Sequence, residues 1–98
     1  MSHLNVYVED QDENPRNVEI TIFLSDSRGI RVTGHSDGQT IFHRIDRRTA
    51  HDGTLVVDLI PNEEISPSGT RYLIRVDRSF YEFVTKQDEE EYISFVVS

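Results

Sequence analysis

The residues best placed to do chemistry begin with the acidic run Glu9-Asp10-Gln11-Asp12-Glu13-Asn14, which sets oxygen donors at Asp10, Asp12 and Asn14. That is the opening of a calcium-binding loop, in which alternate side chains point at one cation. The rest of such a loop is missing: its sixth position is Pro15 where the sharp turn needs glycine, and its twelfth is Thr21 where a bidentate glutamate belongs. An EF-hand is therefore excluded. The expected role of the run is a hydrated turn whose charges keep a strand edge from pairing, and a cation held by the Asp10, Asp12 and Asn14 turn alone stays an open question.

Four histidines, His3, His35, His43 and His51, are spaced by 32, 8 and 8 residues. Those intervals match neither a strand pair at i,i+2 nor a helical pair at i,i+4, so separate histidines are expected and no metal site is predicted. His43 alternates with Ile41 and Ile45 and is expected to point inward. Serine, histidine and aspartate are all present, but no G-x-S-x-G elbow and no glycine-rich phosphate loop positions them. Glu63 and Glu64 are neighbours on a loop, so they do not face each other across a cleft. The absence of cysteine excludes disulfides, thiol catalysis and Cys-type zinc sites. No catalytic set and no cofactor site is predicted, and the chain is read as a non-enzyme.

The elements that must carry these residues are strands. Val18, Ile20, Ile22 and Leu24 alternate with Glu19, Thr21, Phe23 and Ser25, the signature of a half-buried strand. The same alternation runs through Leu55–Ile60, Arg71–Asp77 and Tyr92–Val97, with weaker candidates at Leu4–Val8, Gly29–Thr33, Thr40–Ile45 and Phe80–Thr85. Residues 46–51 read as a polar linker into an Asp52-Gly53 turn. Further turns are expected at Glu13-Asn14-Pro15, Ser27-Arg28-Gly29, Ser36-Asp37-Gly38 and Ser66-Pro67-Ser68-Gly69. Apolar spacing of three and four is absent over two or more turns, so no sizeable helix is predicted, beyond a short turn at Gln87–Glu91. These features predict an all-β chain: one immunoglobulin-like or transthyretin-like sandwich spanning residues 1–98, with about seven or eight short antiparallel strands.

At 98 residues the chain is the size of a single domain, and it has no apolar run approaching the ~20 residues of a membrane span. Met1-Ser2-His3-Leu4 has no basic region leading into an apolar stretch, so no secretory signal is expected. The net charge of −8 argues against a protein that tracks nucleic-acid phosphates. That charge is uneven: residues 26–51 hold Arg28, Arg31, Arg44, Arg47 and Arg48 against three aspartates. A basic middle between acidic ends can steer toward an acidic partner, or toward the acidic part of another copy.

Two stretches carry a resemblance. Val6–Pro15, followed by the strand Val18–Ile22, resembles the opening of transthyretin-like, carboxypeptidase-regulatory-like sandwiches, in which an Asp-rich turn and a proline separate two strands. This chain has Glu13-Asn14 where glycine is usual, which implies a longer turn. The second stretch, Asp52–Tyr72, is similar to a phrase of minor tail and fibre proteins of tailed bacteriophages: an Asp-Gly turn, a strand ending in Leu59-Ile60-Pro61-Asn62, then a loop leading through Gly69-Thr70 to Tyr72. The residues make physical sense of the phrase. Pro61 stops the strand by withholding an N–H, Gly69 takes an unusual backbone angle, and Tyr72 packs inward with its hydroxyl at the rim.

The resemblance implies a structural or attachment module of a virion, at the tail, fibre base or capsid surface, binding other virion proteins or copies of itself. The residues expected at its interfaces are Arg44, Arg47 and Arg48 toward an acidic partner, with Phe80 and Val96 as apolar anchors. The alternative is a carbohydrate-binding sandwich that stacks a sugar ring on exposed Phe80, a weak platform in a chain without tryptophan.

Overall fold

The structure, a computed structural model, describes residues 1–40 and 44–98. The described strands are β1 (Ser2–Asp10), β2 (Glu19–Ser25), β3 (His35–Ser36), β4 (Gln39–Thr40), β5 (Arg44–Arg48), β6 (Thr54–Leu59), β7 (Arg71–Val76), β8 (Ser79–Phe83) and β9 (Glu90–Val97). Seven of them form two facing sheets, one ordered β6-β1-β9 and the other β5-β2-β7-β8, while β3 and β4 make a separate hairpin. Among the described residues no helix is long and apolar enough to cross a membrane. The fold is all-β, as the alternation predicts.

The alternating side chains set the register. Ile20, Ile22 and Leu24 of β2 lie beside Tyr72, Ile74 and Val76 of β7, and all six are essentially inaccessible. Facing them from the other sheet are Leu4, Val6 and Val8 of β1, Val57 and Leu59 of β6, and Ile93, Phe95 and Val97 of β9. Burying such side chains between two sheets about 10 Å apart is the main favourable term in the fold, at roughly 1.5–3 kcal/mol per fully buried aliphatic or aromatic side chain.

Four details depart from the sequence expectations. β9 runs parallel to β1, pairing His3 with Glu90 through Asp10 with Val97, so the strands are not all antiparallel. Side-chain alternation is the same for either direction, so it carries no information about this choice. Residues 46–48 belong to β5, which pairs with β2 from Phe23–Arg44 to Glu19–Arg48, and only the rest of the expected linker is a turn. Gly29–Thr33 makes a single bridge, Ser25 to Arg31, in place of a strand. Gln87–Glu91 holds a turn and the start of β9, and the one short helical turn among the described residues, of 3-10 type, lies at Asn62–Glu64. The expected inward direction of His43 falls outside the described residues.

The predicted punctuation is otherwise in place. Asp37 and Gly38 both have positive φ, +52° and +76°, as a two-residue hairpin turn between β3 and β4 requires. Gly53 sits at φ +79°, and a Cβ there would lie 2.5 Å from the Val8 carbonyl oxygen. Only glycine fits that approach. The Tyr72 hydroxyl donates to the Ile60 carbonyl at 2.7 Å, so its ring fills the core while its polar end reaches the rim. Burial pushes its ionisation well above the usual tyrosine range, and the phenol stays neutral. Beside it, the buried Asn62 amide donates to Thr70 Oγ1 at 3.2 Å and accepts from the Thr85 amide at 2.9 Å, tying three segments together at one end of the sandwich.

Candidate functional site

The two long sides of the sandwich differ in what they expose. On the side of β5 and β6 the chain passes between the sheets through residues 49–53, and hydrogen bonds close the gap. The buried Thr49 hydroxyl accepts from the Val18 amide at 2.8 Å and donates to the Arg16 carbonyl at 2.6 Å. The Asn17 side-chain amide donates to the Thr49 carbonyl, and the Val8 amide donates to the Gly53 carbonyl at 2.9 Å.

On the opposite side, β8 ends one sheet and β9 ends the other, and no described strand pairs with their outer edges. Between them lies a groove of about 420 Å³ lined by Ser79, Phe80 and Tyr81 of β8 and by Tyr92–Val96 of β9. Tyr92 is 76% exposed, Val96 58% and Phe80 57%. A row of rings connects this groove to the core: Tyr81 stacks on Phe83 with centroids 6.1 Å apart, and Phe83 on the buried Tyr72 at 5.7 Å. Such pairs fix the rings beyond what area burial alone achieves.

The expected interface residues separate into two groups. Phe80 and Val96 line the same groove. Arg44, Arg47 and Arg48 sit on β5, the other edge of the four-stranded sheet, three strand spacings from β8, or about 14 Å. They also divide between two faces. Arg44 and Arg48 pair with Phe23 and Glu19, so they project from the outer face, whereas Arg47 pairs with the core residue Ile20 and projects toward the inner one. At the sheet's edge the Arg47 guanidinium remains exposed and donates to the Asp46 carbonyl at 2.9 Å. An inward charge on an edge strand resists pairing with a further strand.

The outer face of that sheet holds a cluster of which only Arg44 was expected to have a role. Phe23 points away from the core yet is only 1% exposed, because guanidinium groups cover it. Arg31 lies 3.7 Å from the ring centroid, Arg75 5.8 Å and Arg44 5.9 Å. Cation–π attraction to a shielded ring favours each contact. Asp46, between them, accepts from the Thr21 hydroxyl at 2.9 Å and from Arg44 Nε at 3.2 Å, and those contacts, the hydroxyl first, hold its carboxyl below the usual range. The available signal was a phenylalanine on the polar side of the clearest strand, in a chain rich in arginine nearby.

The acidic turn is built for backbone contacts. Asp10 Oδ1 accepts from the amides of Asp12 at 2.9 Å and Asn14 at 3.0 Å, and Arg16 approaches Oδ2 at 3.7 Å. Asp26 repeats the arrangement with the amides of Arg28 at 2.8 Å and Ile30 at 3.0 Å. In both, amide hydrogen bonds lower the carboxyl's pKa, led by Asn14 for Asp10 and by Ile30 for Asp26. Among the described residues no three His, Asp or Glu side chains come together as a metal site. The described histidines stand apart, His3 paired with Asp58 and His35 with Thr40.

No protein-family model matches this chain, and no curated protein matches it in sequence. The transthyretin-like and phage-tail resemblance thus stands on the quoted residues alone.

Proposed function

We propose that this domain is a non-enzymatic assembly module that binds a protein surface along the open side between β8 and β9. The observation that supports the reading is the convergence of Phe80, Tyr81, Tyr92 and Val96 on one groove flanked by two strand edges. Exposed rings beside unpaired backbone offer a partner both apolar anchors and a ladder of main-chain hydrogen bonds. The resemblance supplies the setting: a tailed-phage particle, with neighbouring virion proteins or further copies as partners. Light scattering and pull-down from assembled particles test this. Association or capture that is lost in Phe80→Ala and in Val96→Lys supports it. A strict monomer at high concentration that retains no virion protein overturns it.

A glycan-binding reading draws on the same groove, because the Tyr92 and Phe80 rings are exposed enough to stack on a sugar's CH face. It predicts a sugar-dependent change in tyrosine fluorescence that Phe80→Ala removes without unfolding. No response across a glycan panel would dispose of it.

A further inference from the structure

Strand register sorts the charges of this acidic chain onto opposite faces. The outer face of the β5-β2-β7-β8 sheet presents Arg44, Arg48, Arg71 and Arg75, with Arg31 lying over it, against three carboxylates, Glu19, Asp46 and Glu82. The outer face of the β6-β1-β9 sheet presents Glu9, Asp58 and Glu90, and its one basic group is His3, already against Asp58. One face is therefore net cationic in a protein of net charge −8, and the other is anionic.

Arg44 and Arg71 are neutralised locally by Asp46 and Glu82. Arg31 and Arg75 meet no carboxylate within ion-pair distance among the described residues; both lie against the Phe23 ring, and Arg75 also acts on the Asp46 carboxyl from beyond that distance. The Arg31 guanidinium, 3.7 Å from the ring centroid, keeps N–H donors that can take a carboxylate. On the opposite face, Asp58 and Glu90 flank exposed Val56 and Tyr92, while Phe80 and Leu73 lie among the arginines. Each face thus holds exposed apolar residues, in a surround that is net cationic on one side and net anionic on the other.

We infer that copies of this chain stack face on face, the arginine-bearing face of one on the acidic face of the next, with Arg31 and Arg75 receiving carboxylates such as Asp58 and Glu90. This rests on the assembly reading above, and its two faces border the groove, sharing Tyr92 and Phe80 with it. Because the two patches differ, the contact is heterologous and repeats into a ring or an open row instead of stopping at a pair. Net repulsion at −8 is largely screened beyond the Debye length of about 8 Å at physiological salt, whereas the paired groups meet well inside it.

The experiment is a charge exchange read by sedimentation velocity. One variant, Arg31→Glu with Arg75→Glu, makes both faces anionic, and a second, Asp58→Lys with Glu90→Lys, makes both cationic. The unmodified chain is expected to grow in mass with concentration past two copies. Each variant alone should associate roughly tenfold more weakly or not at all, and an equimolar mixture should regain growth by alternation. Should the first variant fail to fold by circular dichroism, Arg31→Gln with Arg75→Gln keeps polar cover on Phe23 and should weaken association similarly. A monomer up to millimolar concentration, association that stops at two copies, variants that associate unchanged, or a mixture that stays monomeric would each overturn the inference. Tyr81→Ala separates the two readings: Tyr81 lines the groove but sits opposite Ile74 on the inner face, so the change should weaken capture at the groove and leave stacking intact. Stacking that fails while groove capture persists would sink this inference alone.

Discussion

Within five residues the β5 edge carries Arg44, Asp46, Arg47 and Arg48, whereas β9 runs from Tyr92 to Val97 without a charge. The two strands border opposite sides of the same sandwich and meet the same physical problem, a row of unpaired backbone donors and acceptors. β5 meets it with charge, including an arginine on the core side of the strand, and with the Thr49 and Gly53 hydrogen bonds that join the sheets beside it. β9 meets it with exposed Tyr92 and Val96. One side is closed against further pairing and the other is left receptive, which is why the groove between β8 and β9 carries the proposed function.

The closed side is where stability should be most easily broken. Gly53→Ala places a methyl 2.5 Å from the Val8 carbonyl oxygen at a positive φ, so a loss of about 3 kcal/mol is expected in urea unfolding. Thr49→Val keeps the shape but leaves the Val18 amide and the Arg16 carbonyl without their shared hydroxyl, for an expected loss of about 2 kcal/mol by the same measurement.

Acid should sharpen the comparison. Asp10, Asp26, Asp46 and Asp52 all have carboxyl pKa values lowered in the fold by hydrogen bonds, and none lies on β8 or β9. Their stabilisation is present above the unfolded value near 3.9 and is lost as pH falls through the lower folded values. Glu91 on β9 moves the other way: desolvation, then Glu89, raises its pKa, so protonation relieves a cost there. Amide exchange during acidification should therefore open the turns beside β1, β2 and β5 before β9. The smallest effect on stability belongs to Val96→Lys, on a 58% exposed outer position, within about 0.5 kcal/mol by thermal melt even as partner binding is lost.

Strands with a clean two-residue period were legible from sequence. The alternation at Val18–Ser25, Leu55–Ile60, Arg71–Asp77 and Tyr92–Val97 corresponds to β2, β6, β7 and β9, and Tyr72 packs inward with its hydroxyl at the rim as expected. Strand direction was not legible, because parallel and antiparallel pairs bury the same alternate side chains. Residues 46–48 read as linker because a charged edge strand lacks apolar alternation when its outer face is solvated. Phe80 and Val96 were expected as apolar anchors, and the groove that joins them depends on which strands end the two sheets, a matter of topology. The cover over Phe23 draws on Arg31, Arg44 and Arg75 from separate segments, and no local pattern announces such a meeting.

The parallel pairing of β1 with β9 also sets an order of events on the ribosome. Residues 2–10 are made before residues 90–97, so one flank of β1 stays bare until those have been synthesised. The β5-β2-β7-β8 layer needs the chain only as far as Phe83, whereas the β6-β1-β9 layer also waits for residues 90–97. Native contacts this distant along the chain place such a protein among the slower-folding small domains, and in that interval the flank of β1 that β9 will cover leaves a row of backbone donors and acceptors unpaired.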